Sequence, residues 1–172
     1  GRVDPEEAVR ADWAVGVLPA GRSLTGARST RLEELQPTLE ALSKKYGWIV
    51  VDAPAGFDAD VALSILAADV CVLVTSPEPA ALADSVRTRS LAGELGTGIG
   101  AVVLNRSGTT RAAVSEVLGD PQFAVPDAGS VHEAQREGVP IVFSEPDHPA
   151  SGVFRALADR LRQLTRDRRP GA

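Results

Sequence analysis

The sequence predicts an open, doubly wound α/β fold, a mostly parallel sheet with helices on both faces. Two observations carry this expectation. Short β-branched runs recur between turn signals: "WAVGVLP" (13–19), "WIVVDA" (48–53), "VCVLVTS" (70–76), "GAVVLN" (100–105) and "QFAVP" (122–126). They are apolar on both faces, which suits strands covered above and below and not strands with one wet side. The stretches between them carry helical spacing. Leu32, Leu35, Leu39 and Leu42 lie three or four apart, as do Val153, Phe154, Leu157, Leu161 and Leu164, while 80–95 is patterned more loosely through Leu82, Val86, Leu91 and Leu95. Strands alternating with helices give a parallel sheet. "GELGTGIG" (93–100) precedes a strand, so it reads as a helix C-terminus and turn.

Composition limits the functions available. With 172 residues, 44% of them hydrophobic, the chain suffices for one domain with a sizeable core. We expect that domain over 1–166, followed by a flexible basic tail over 167–172. A net charge of −5 argues against wrapping nucleic acid by bulk charge. The single cysteine, Cys71, excludes internal disulfides, Cys-rich zinc sites and iron–sulfur ligation within the chain. No apolar run approaches about 18 residues and no signal peptide opens the sequence, so the expectation is a soluble, cytoplasmic protein. The absence of methionine suggests a processed chain or the later part of a longer one.

In such sheets ligands bind beyond the carboxyl ends of the strands, where helix N-termini offer free N–H groups. The residues at those ends are Asp52 with "APAG", Thr75 and Ser76 with "PEP", Asn105 with Arg106, and Pro126 with Asp127. Each also has a purely structural reading. Asp58 or Ser76 can cap a helix, Pro77 and Pro79 can start one, and Asn105 or Asp52 can cap a turn. Asp52 is the sharpest candidate. A carboxylate held rigidly at the end of an apolar strand suits a phosphate-and-magnesium site. Gly56 then lets backbone N–H groups approach a phosphate without a Cβ in the way.

Together these segments resemble the MinD/ParA family of deviant P-loop ATPases. "YGWIVVDAPAG" is similar to the family's Walker B strand and switch loop. "ADVCVLVTSPEPAALADSVRT" resembles the next strand and helix, "GAVVLNRSG" the strand ending in Asn-Arg, and "AVPDAGSVHEAQREGVPIV" the stretch that follows. "HPASGVFRALADRL" resembles the closing helix and "VGVLPAGRSL" a segment preceding the Walker B strand, so the likeness covers roughly residues 13–165. It implies a P-loop NTPase-like fold that is incomplete at its N-terminus, with ATP and Mg²⁺ as cofactors. Asp52 would act on Mg²⁺ through water, and the 53–57 loop containing Gly56 would sense the γ-phosphate. Asn105 would read the adenine edge, Arg106 would lie beside the base, and Pro126 and Asp127 would complete the pocket. Asp84 matches a position near the dimer and partner surface. The implied function is an ATP-dependent dimerisation switch used in intracellular positioning, such as division-site or chromosome placement. Its partners would be a second copy and a regulatory or cargo protein.

The sequence also departs from the family. Nothing matches the Gly-rich loop GKGGxGKT, and the family's first strand, P-loop helix and second-strand aspartate are missing. This chain alone is therefore expected to bind ATP poorly and not to hydrolyse it, the phosphate-gripping part belonging to a preceding segment. A non-catalytic MinD-like regulatory protein is the alternative. A receiver-type phosphoacceptor would also place an aspartate and a threonine as Asp52 and Thr75 stand, but it needs a lysine where Asn105 is found and an acidic pair where Pro19 is found. His132 and His148 read as surface residues without metal-ligand spacing. The apolar stripe of the last helix reads as core-facing, which argues against direct membrane anchoring.

Overall fold

The computed structural model describes residues 10–12, 15–19, 32–56, 58–108, 111–119 and 122–167. They fall into two compact units, Gly1–Pro54 with Asp58–Ala68, and Ala55–Phe57 with Asp69–Ala172.

In the first unit, β1 (Arg10–Asp12) and β2 (Val15–Val17) form an antiparallel pair with Arg10 opposite Val17. The leucine stripe builds α1 (Leu32–Ser43), on which Leu42 is buried. In α2 (Ala59–Leu66), Val61 and Ile65 stand four apart and both are buried. Asp58 occupies the N-cap position in extended backbone, without a side-chain capping bond.

Two expectations fail in this unit. The run at 13–19 contributes to an antiparallel pair and not to the parallel sheet, and Trp13 and Ala14 lie outside the described residues. More consequentially, the strand expected over 48–53 is absent. Trp48, Ile49, Val50 and Val51 have no regular backbone structure, and Val50 is 89% exposed. The physical reason is that a strand is defined by neighbours that take its N–H and C=O groups. Among the described residues, no ladder includes these.

The second unit holds the parallel sheet, in the order β3 (Cys71–Thr75), β4 (Ile99–Ser107), β5 (Phe123–Pro126). Its helices are α3 (Pro79–Glu94), α4 (Arg111–Leu118), α5 (Gly129–Glu137), α6 (Ile141–Ser144) and α7 (Pro149–Asp167). Strand alternation sorts the apolar residues into two cores. Leu73 and Leu104 face Leu82 of α3 and Val114 and Leu118 of α4. Val72, Val103 and Val125 face the other way, against Ala150, Val153 and Leu157 of α7. Helices therefore cover both faces, as expected.

α7 reaches the start of β4. A Cβ at Gly100 would meet the Val70 side chain and come within 2.8 Å of Leu164 Cδ1. Val153, Leu157 and Leu164 of the α7 stripe thus pack against the sheet while Phe154 stays exposed, and among the described residues no helix is long and apolar enough to cross a membrane. Helix α3 ends where "GELGTGIG" implied. Gly96 takes φ +77°, and Thr97 N–H donates to Ala92 C=O at 2.9 Å. Cys71 is half-buried in β3, and burial pushes its thiol pKa up. From residue 168 the expected basic tail lies outside the described residues.

Candidate functional site

At the carboxyl end of the sheet, β4 changes course. It pairs with β5 as Val103 with Phe123 and Leu104 with Ala124, then resumes with Ser107 opposite Pro126. Asn105 and Arg106 therefore stand against the single residue Val125, which is a bulge. Bulges bend a strand and re-aim its side chains, and they recur beside active sites. Arg106 has φ 52° and is the one non-glycine residue with positive φ among those described. A left-handed residue with a side chain costs about 1 kcal/mol or more, which the surrounding structure must offset. One local compensation is visible: Arg106 N–H donates to Asn105 Oδ1 at 3.0 Å. The Asn105 carbonyl is thus engaged by its own chain, and its NH₂ group is left to donate elsewhere.

Around the bulge, Val74, Thr75, Ser76, Glu78, Asn105 and Arg106 line a cavity of about 420 Å³ with two alanines of the first turn of α3. Thr75 is buried. Pro79 occupies the first turn of α3, as its fixed φ favours, and Glu78 precedes it in extended backbone. Arg106 Nη1 lies 4.0 Å from Glu78 Oε1, both side chains more than half exposed. The Glu78 carboxyl is held below its ordinary range first by a hydrogen bond from the Ser76 side chain, then by its own backbone N–H, with Arg106 contributing less. Asp127 acts in the opposite sense, so it lies within electrostatic reach of Glu78. Asp127 Oδ1 is 2.9 Å from His132 Nε2.

Within this unit Asn105 and Arg106 line the cavity, whereas Pro126, paired opposite Ser107 on the neighbouring strand, and Asp127 are not part of its lining. Asp84 stands on α3, its carboxylate 3.7 Å from Arg87. Gly56 takes φ +106°, a backbone that excludes side chains on conformational grounds, since no atom lies within 4 Å of a built Cβ. Asp52, in the first unit, is exposed and has no hydrogen-bond or ion-pair partner among the described residues. The sequence placed Ser76 and Glu78, in "SPEP", at a strand end without giving either a role, and His132 read as a surface residue. Glu78 was readable from "PEP" following a strand end, whereas the Asp127–His132 contact has no sequence signal beyond a separation of five.

A larger cavity of about 550 Å³ is lined by α5, α6 and Phe154 of α7. Its lining is apolar apart from Gln135 and carries no charged group, so the chemistry points to the smaller one.

No family model matches the sequence. An uncharacterized ATP-binding protein of Methanocaldococcus jannaschii is 29% identical over 168 residues, which are 94% of this chain and 64% of that protein. The cell division ATPase MinD of Pyrococcus furiosus superposes with a TM-score of 0.81 at 26% identity, over 94% of this chain and 72% of that one. The septum site-determining protein MinD of Pyrococcus horikoshii, solved with Mg-ADP, gives a TM-score of 0.81 at 24% identity, over 95% of this chain and 70% of that one. The chain spans about six tenths of the length of the curated relatives it matches. Similarity along nearly the whole sequence and the shared open parallel sheet together show that the chain resembles ATPases of the MinD/ParA family.

Proposed function

We propose that this chain holds the Walker B and adenine-binding parts of a protein that, when complete, binds ATP with Mg²⁺ and hydrolyses it as a nucleotide-dependent dimerisation switch used in intracellular positioning. The observation that carries this reading is the bulge at Asn105–Arg106. A left-handed arginine and a self-engaged asparagine at the end of a central parallel strand are maintained at an energetic cost, beside the Pro126–Asp127 end of the next strand. The Asn105 NH₂ suits a ring-nitrogen acceptor on the adenine edge. The Arg106 guanidinium offers a flat cationic face to the base, and Pro126 and Asp127 complete the pocket.

Asp52 fits the magnesium of such a nucleotide. Its carboxylate is exposed and without a partner among the described residues, which contain no group of three or more His, Cys, Asp or Glu able to hold a metal by protein ligands alone. Mg²⁺ suits such a place because it is commonly held by one or two carboxylates, substrate phosphates and water. Bound there, it would neutralise charge on the phosphates. Gly56 allows the backbone close to them. A second copy of the chain and a regulatory or cargo protein would be the partners, the latter meeting the Asp84 face of α3.

The test uses the protein as encoded, with any residues that precede Gly1. Mg²⁺-dependent ATP turnover that falls about 100-fold in Asp52→Ala, with ATP-dependent dimers in light scattering, supports the switch. Nucleotide binding without turnover would assign the protein instead to a non-catalytic regulatory role.

A further inference from the structure

Helix α3 and the Gly56 turn are joined by one side chain. The half-buried Thr88 places its Oγ1 3.2 Å from Gly56 C=O, thirty-two residues away in sequence, and 2.9 Å from Asp84 C=O, one helical turn back. A threonine hydroxyl has a single proton for these two acceptors, so the bonds are shared or alternate. That arrangement has a physical consequence. When Gly56 moves away, the proton passes wholly to Asp84 C=O, a back-bond that threonines in helices commonly make. Thr88 is satisfied in both positions, and since Gly56 is only half-buried, its carbonyl can turn to water. Neither state leaves a buried orphan, as a two-position latch requires.

The two ends of the latch differ in kind. Gly56 sits in a turn whose φ of +106° only glycine holds comfortably, so its carbonyl direction is set by a particular backbone. Asp84 carries the other accepting carbonyl and, through its side chain, the 3.7 Å pair with Arg87 on the half-exposed face of α3. We propose that Thr88 is a positioning residue. Its hydroxyl ties the Gly56 turn to helix α3 and passes displacement of that turn to the Asp84–Arg87 face. The functional sense of this relay rests on the nucleotide-responsive reading of the Gly56 loop, but its physical existence does not.

The experiment separates the two. Backbone ¹⁵N relaxation on the 172-residue protein gives the order parameter of Gly56 in three forms: wild type, Thr88→Val, which keeps the shape without the hydroxyl, and Thr88→Ser, which keeps the hydroxyl. The latch predicts an order parameter of about 0.8 in wild type and Thr88→Ser, falling to about 0.6 in Thr88→Val. Gly56→Ala then displaces the turn. It should move the amide signals of Asp84 and Thr88 in the wild-type background and leave them in place in Thr88→Val. Equal behaviour of the Val and Ser variants, or an equal response to Gly56→Ala in both backgrounds, overturns the proposal. Nucleotide is absent throughout, so failure of ATP binding elsewhere would leave these results standing.

Discussion

Two stretches of this chain carry the same signal and meet different fates. Both 48–52 and 99–105 are apolar, rich in β-branched residues, and closed by a polar side chain at the expected carboxyl end. The second becomes the central strand of a parallel sheet, with Leu104 completely buried. The first joins no ladder among the described residues, and its Val50 is 89% exposed. The difference lies in their neighbours. Ile99–Ser107 has β3 on one side and β5 on the other to take its backbone groups, and helices on both faces to bury its side chains. β-propensity states what a residue does once such surroundings exist.

The largest effect that sharpens this contrast is in the two apolar runs themselves. Leu104→Ala should lower stability by about 2–5 kcal/mol in urea unfolding. Val50→Ala, whose side chain is already in water, should change it by less than about 0.5 kcal/mol. A comparable loss from both would mean that 48–52 is buried in solution after all. Next comes Gly100→Ala. Its Cβ would press on Val70 and Leu164, and the overpacking should cost about 1–3 kcal/mol, read as a lower unfolding midpoint with an unchanged slope.

Smaller effects probe the bulged end of β4. Arg106→Gly removes the left-handed strain and should raise stability by up to about 1 kcal/mol, while Arg106→Val should lower it because a β-branched residue resists positive φ. Stabilisation by glycine together with weaker adenosine binding would show strain maintained for function.

The smallest effect is electrostatic. Glu78 has a lowered pKa in the fold, so its contribution is fully present above the ordinary glutamate value of about 4.3. It is lost as pH falls through the lower folded value. A carboxyl-carbon NMR titration should place the Glu78 midpoint below that of other exposed glutamates. Ser76→Ala should move it upward more than Arg106→Gln does, following the order of the causes.

How much of this was legible beforehand depends on range. The β3–β4–β5 unit and its helices were readable because strand alternation, leucine spacing and the "GELGTGIG" terminus are local patterns that agree with the global arrangement. Asn105, Arg106, Pro126 and Asp127 were readable as strand ends. The bulge that sets Asn105 and Arg106 against Val125 was not, since it is a property of register between two strands. The Thr88 bond to Gly56 and the Asp127–His132 contact depend on tertiary placement and on a side-chain rotamer, neither of which a spacing rule encodes. The misplaced strand at 48–53 errs for the same reason, because propensity was legible there and the neighbours were not.

The central claim is that the end of β4 reads a purine base. Titrating ¹⁵N-labelled protein with adenosine, which needs no phosphate-binding loop, tests it most directly. The account predicts amide shifts confined to Asn105, Arg106 and the Pro126–Ala128 segment, abolished in Asn105→Ala and absent with uridine. Shifts elsewhere, or an equal response to uridine, would contradict it.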